Sequence, residues 1–214
     1  MMRRYLPLPF LLLLAAAPAT RPGNTIVDHA RKILESIRTS SYSHKTDIDE
    51  SAGRYVCDCS EFVVHVLRKC APETLAAIQR TSEHKRPLAV DFHAAFMAAP
   101  AEHGSLRRIR KLADARMGDM IAWRVAEIVK GESTGHVMIV DEPPVADGQD
   151  VYRLVVIDST SLPHANDTRK DGASGVGRGT IWVRVNADDE PAEVSPRKKS
   201  GPFKPHTMAI GRAE

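Results

Sequence analysis

The spacing of apolar residues changes period once along this chain, and that single change constrains the fold more than any other feature. In the first half apolar side chains recur at helical spacing. Ile26, Ala30, Ile33, Leu34 and Ile37 share one face of the stretch from Thr25 to Ser40. Phe62, Val63, Val66, Leu67 and Cys70 form one stripe of Cys59 to Cys70, which Pro72 stops. Pro72 to Arg80 and Pro87 to Ala99 read as two shorter helices, each with a Pro near its start. From Gly118 the pattern becomes β-rich runs, Met120 to Val125, His136 to Val140, Tyr152 to Ile157 and Thr180 to Val185, parted by Gly, Pro, Asp and Asn, with residues 206 to 211 as a fifth. Helices first and an antiparallel meander second predict an α+β fold with a sheet of about five strands. The polar stretch Ser40 to Tyr55 reads as a loop, and the Pro/Lys/Arg-rich piece from 190 to 205 as an exposed loop with solvated charges.

The N-terminus follows a different logic. Arg3 and Arg4 precede an apolar run from Tyr5 to Ala17, and Ala17, Pro18 and Ala19 supply small residues. That order predicts a secretory signal peptide over residues 1–19, leaving a single domain over 20–214 in the periplasm or outside the cell. The run is shorter than the roughly 20 residues of a membrane span and contains Pro7 and Pro9, so stable membrane insertion is not expected. Removing residues 1–19 lowers the formal net charge from +3 to +1, so there is no basic excess to attract nucleic acid. Cys57, Cys59 and Cys70 are an odd number for an oxidising compartment. A helix from 59 to 70 would part its ends by roughly 16 Å, beyond the roughly 7 Å that a disulfide permits between Cα atoms. The spacing therefore points to a free thiol.

Cys59 falls where loop turns into helix, with Asp58 or its neighbour placed to cap the first turn. A thiol there meets unpaired backbone N–H groups and the positive end of the helix dipole, which favour the nucleophilic thiolate. Read alone, a free cysteine is more often a small buried apolar residue. His136 changes the balance, because it opens an otherwise apolar strand after Gly135, where a merely structural imidazole needs a buried partner. A base at a strand end facing a thiol at a helix end is an acyl-transfer arrangement. Asp158, ending the strand Leu154 to Ile157, is the candidate to orient the imidazole, although with Ser159 and Thr160 it also suits a turn.

Asp58-Cys59-Ser60 with Phe62 and Val63, then Gly118-Asp119 and Gly135-His136-Val137 each heading a strand, resemble the NlpC-type and CHAP-type cell-wall peptidases and amidases over residues 25 to 160. The resemblance implies a papain-like core with the nucleophile on a helix packed against an antiparallel sheet. It implies Cys59 as nucleophile, His136 as base and peptidoglycan, or another cell-envelope peptide, as substrate. Tyr42, in Ser41-Tyr42-Ser43, matches an upstream tyrosine that lines the oxyanion site in relatives, with Tyr55 its rival; Asp58 and Ser60 join it as expected substrate or oxyanion contacts. CHAP-type relatives carry Glu or Asn where Asp158 stands and many NlpC-type ones carry His, which makes His164 the rival third member. His164 sits beyond the strand end in a polar loop and is expected to be dispensable. Glu61 replaces the family's usual glycine, and the Gly-Gly turn before the nucleophile is absent.

Neither His164, Asp167 and Arg169 nor His44, Asp47 and Asp49 match a metal spacing such as His-Glu-x-x-His, so no metal or other cofactor is expected. Gly175, Gly177 and Gly179 lead into a strand rather than a helix, which argues against a phosphate cradle. The sequence thus predicts amide hydrolysis through a thioester. An acyltransferase or amidase on another substrate and a non-catalytic wall-binding module are the alternatives.

Overall fold

A computed structural model describes residues 22–102, 104–129 and 133–214, so the expected signal peptide lies outside the described residues. Four α-helices precede most of the sheet: α1 (Pro22–Ser36), α2 (Cys59–Cys70), α3 (Pro72–Thr81) and α4 (Ala89–Ala98). Three short strands, β1 (Thr39–Ser41), β2 (Asp47–Asp49) and β3 (Arg54–Val56), stand between α1 and α2. The remaining strands are β4 (Leu106–Ile109), β5 (Met120–Arg124), β6 (Gly135–Ala146), β7 (Val151–Thr160), β8 (Gly175–Val185), β9 (Pro191–Ser195), β10 (Lys204–Pro205) and β11 (Thr207–Ala213). The fold is α+β. Eight of the strands form one antiparallel sheet in the order β10-β9-β8-β7-β6-β5-β11-β4. No helix among the described residues is long and apolar enough to cross a membrane.

The central helix is α2, buried from Cys59 to Leu67. It packs against α1 on one side and β6 and β7 on the other. Phe62, Val63, Val66 and Leu67 meet Val137, Ile139 and Ile157 in the core between helices and sheet. Alternate strand residues, among them Ile121, Met138, Val140, Val156 and Ile181, fill a second core on the opposite face. The sheet coils so that β9 touches β11, two strands that are not neighbours in its order. Burial on both faces is why the strands read as near-continuous apolar runs.

Three expectations are corrected. The sheet has eight strands rather than about five, because β4 and β10 are too short to carry a pattern and β9 lies within the Pro/Lys/Arg-rich piece. Residues 190–205 are not simply an exposed loop: β9 pairs with β8 and buries Val194 and Ser195, while Arg184 takes up the charge of Glu193. The segment read as a loop from 40 to 55 holds most of a small sheet in which β3 pairs with both β1 and β2. That small sheet delivers the chain to the start of α2. The Ser40 hydroxyl donates to Tyr55 O at 2.9 Å and accepts from Val176 N at 2.8 Å, tying the small sheet to β8.

Gly135 starts β6 at φ 140°, and a Cβ there would lie 1.9 Å from the Trp123 carbonyl oxygen. Gly172 also has positive φ, 77°, but open space around it. Gly135→Ala is therefore expected to cost at least about 2 kcal/mol in urea unfolding, against about 1 kcal/mol for Gly172→Ala. Equal unfolding midpoints for the two variants would contradict this packing of β5 on β6.

Candidate active site

Asp58 caps α2. Its Oδ1 accepts the Glu61 N–H at 2.8 Å, and Arg86 donates to both carboxylate oxygens at 2.9 and 2.8 Å. The Nδ1 of His44 lies 3.2 Å from Oδ2. Burial alone would raise the Asp58 carboxyl, but the Arg86 fork and the Glu61 N–H outweigh it and hold the group below its usual range. Asp58 thus positions the helix start and has no free oxygen to offer a substrate. Cys59 follows as the first helical residue, 3% exposed. Ser60 is buried beside it, with Oγ 3.8 Å from Sγ.

All three cysteines are free thiols. Cys57 is fully buried, and that burial pushes its thiol up to about 12. Cys70, at the other end of α2, is also raised by burial. Glu61 is turned toward Arg86 and Arg68, at 3.6 and 3.9 Å, rather than into the cleft.

His136 opens β6 opposite Trp123. Its Nε2 lies 2.5 Å from Asp158 Oδ2, which leaves Nδ1 for Cys59. Burial by itself lowers the His136 imidazole, but the charge of an ionised Cys59 and the hydrogen bond to Asp158 outweigh it and push the group up to about 10. Asp158 is 0% exposed. Burial opposes its charge, yet His164 and His136 hold it well below the usual carboxylate range. An ionised carboxylate only accepts, so both histidines donate an Nε2–H to it.

The position of His164 is a correction. Its loop turns back onto the sheet, so the side chain is 5% exposed with Nε2 2.9 Å from Asp158 Oδ2. His164 and Asp158 are therefore partners, not rivals. Arg169 Nη2 adds a third donor, at 2.9 Å to Oδ1, and Asp167 fastens the loop by accepting from His164 N and from Arg169 N, Nε and Nη2. Two of the three alternate glycines of β8, Gly177 and Gly179, make room for this loop, while Gly175 lies against Ser40 and Ser41 of β1. A Cβ at Gly177 would come within 2.4 Å of Arg169 Nε, and one at Gly179 within 2.7 Å of Asp167 Oδ2. Donor atoms of His136, Asp158 and His164 lie close enough together to share an ion, but the Arg169 guanidinium already neutralises the carboxylate and opposes a second cation.

Tyr42 lines the same small pocket as Cys59, whereas Tyr55 is buried with its hydroxyl 3.3 Å from Ser36 Oγ. Burial and then the negative charge of Cys59 and Asp58 push the Tyr42 phenol above its usual range, so it stays protonated as a donor. Tyr42, Cys59, Ser60, Leu88 and Gly135 line a small pocket of about 80 Å³. Next to it a cleft of about 520 Å³ runs over His136, walled by Trp123, Pro163, Arg197 and Lys204. Trp123 sits between His136 and His206, with ring centroids 5.2 and 5.4 Å away. Sequence reasoning missed Arg86 and gave Arg169 no role. Their signal is weak, because each lies in a short polar, basic stretch and meets its buried carboxylate, Asp58 or Asp158, only in the folded chain.

No family profile matches the chain. No solved structure matches it either. The chain is similar to an uncharacterized protein of Acanthamoeba polyphaga mimivirus, 28% identical over 151 residues. The match covers 62% of this chain and 65% of that relative.

The folded pKa of His136 lies above its ordinary 6.5, so the stability this group contributes is complete below about pH 6.5 and is lost as the pH rises through about 10. Nitrogen NMR of the imidazole should show His136 protonated at pH 8 and titrating near 10. In Cys59→Ala, which removes the charge partner, the titration should move to lower pH. A wild-type midpoint near 6.5 would contradict the ion pair.

Proposed function

We propose that the chain is an exported cysteine hydrolase with a papain-like core of the NlpC/CHAP type, cleaving an amide bond, in peptidoglycan, through a thioester. The observation that carries this reading is the His136 imidazole, held at Nε2 by a buried carboxylate and left with Nδ1 for a cysteine at a helix N-terminus. A helix N-terminus packed on an antiparallel sheet also suits the papain-like core.

On this reading each step is assigned to a group. The Cys59 thiolate attacks the carbonyl carbon, and the oxyanion takes hydrogen bonds from the Cys59 backbone N–H and the Tyr42 hydroxyl. His136 gives its Nδ1 proton to the leaving amine, forming the acyl-enzyme. It then takes a proton from the incoming water, whose oxygen attacks the thioester, and returns that proton to sulfur. Asp158 keeps Nε2 protonated throughout, so Nδ1 is the nitrogen that exchanges protons. Arg197 and Lys204 on the cleft wall suit a peptide that carries carboxylates, and the signal-like N-terminus would bring the enzyme to the cell wall.

Purified peptidoglycan digested with the mature chain should yield new termini identifiable by mass spectrometry, and Cys59→Ala and His136→Ala should each abolish them without loss of fold. A chain that binds peptidoglycan but leaves it intact would support the wall-binding alternative instead. Asp158→Asn should lower kcat by up to about 10⁴-fold by permitting the wrong tautomer. His164→Ala should lower it by about tenfold, as loss of a supporting contact does. Full activity in Asp158→Asn would refute its orienting role.

A further inference from the structure

We propose that His29, Glu50 and His65 form a binding site for a divalent transition metal, Zn²⁺ by its donor set, which staples α1 to α2 through the turn after β2. The proposal does not rest on the hydrolase reading. His29 projects from α1, His65 from α2, and Glu50 follows β2 directly. No sequence spacing marks the group, which is why no metal was expected. The fold nevertheless brings one donor atom from each residue within 4.8 Å of the others.

Metal bonds of about 2.0–2.1 Å in a tetrahedral site place neighbouring donors roughly 3.3 Å apart. His29 Nε2 already lies 3.6 Å from Glu50 Oε1. His65 Nε2 lies 2.6 Å from the same oxygen, a hydrogen bond that would open by less than about 1 Å to admit an ion. Glu50 can supply that movement, because its side chain is 35% exposed on a turn. An independent observation points to a missing ligand. His29 Nε2 is shut off from solvent yet has no hydrogen-bond partner among the described residues, a state that costs free energy and that a metal would relieve.

The surroundings fit a bound ion. Lys69 Nζ lies 3.6 Å from Glu50 Oε2, the oxygen turned away from the histidines, so it can orient the carboxylate while Oε1 takes the metal. Two histidines and a carboxylate are a common Zn²⁺ set, with a fourth position for water on the exposed side of Glu50. His65 stands six residues along α2 from Cys59, roughly 9 Å of rise. The ion would therefore brace the nucleophile's helix without touching the thiol.

The test uses the full chain, stripped with a chelator and titrated calorimetrically with Zn²⁺ in a Cys59→Ala background that removes a competing thiolate. One ion per chain is expected, with a rise of several degrees in Tm. His29→Gln should weaken binding by more than about 100-fold, since lost outer-shell partners alone cost 10–100-fold, and should remove the Tm rise without lowering the Tm of the metal-free chain. Glu50→Gln should act in the same direction, whereas His164→Ala should leave affinity unchanged. Zn²⁺ binding that survives both His29→Gln and Glu50→Gln, or that disappears with His164→Ala, would overturn the proposal, as would the absence of binding in the parent chain.

Discussion

A carboxylate taken wholly out of water must be surrounded by donors, because an unpaired buried charge costs several kcal/mol. Asp158 is in that position, and meeting its demand organises the site. His136 reaches it from β6, while His164 and Arg169 reach it from the segment between β7 and β8. Asp167 then holds that segment down, and Gly177 and Gly179 of β8 leave the space it occupies. The His136 imidazole is thereby locked with one nitrogen engaged and the other available. Position and tautomer of His136 follow from this one buried group, and its charge from Asp158 together with Cys59.

Cys59 is placed by a separate set of contacts that meets the first at the end of β7. Ser159 donates to the Cys57 carbonyl at 2.7 Å, fixing the two residues before the helix. Successive strand residues point to opposite faces, so Asp158 and Ser159 serve different sides of the sheet. One strand end thus sets both His136 and the approach to the Cys59 thiol. At the helix start, Asp58 satisfies the Glu61 N–H and takes the Arg86 fork. The small sheet of β1, β2 and β3 carries Tyr42 to the same place, with its backbone N–H on Ser174 Oγ at 3.1 Å. Each partner of Cys59 is thus held by its own backbone or charge contact.

What could be read from the sequence was whatever is encoded locally. The stripe on α2, the proline after it and the glycine before His136 each act within a few residues, so the helix, the place of Cys59 at its start and the strand start were legible. Asp158 was legible as the polar end of an apolar run. The partners of Asp158 were harder, because His164 and Arg169 acquire their roles only when a polar loop folds back across β8. Gly175, Gly177 and Gly179 were visible as a pattern, but their function lies in what they make room for. Arg86 is separated from Asp58 by the length of α2 and α3, and no periodicity links them. The short strands β1 to β4 and β10 were hidden for a related reason, since strands of two to four residues take their identity from the strand alongside, and β9 was masked by the prolines and charges around it.

The central claim is that Cys59, alone among three thiols, is activated by its place in the fold. Iodoacetamide labelling of the folded chain at pH 7, followed by mass spectrometry of the peptides carrying Cys57, Cys59 and Cys70, tests it most directly. Cys59 should be modified at least about tenfold faster than Cys70, with Cys57 slowest because it is fully buried. His136→Ala should bring the Cys59 rate down toward that of Cys70. Equal rates at Cys59 and Cys70, or a Cys59 rate indifferent to the loss of His136, would contradict the account.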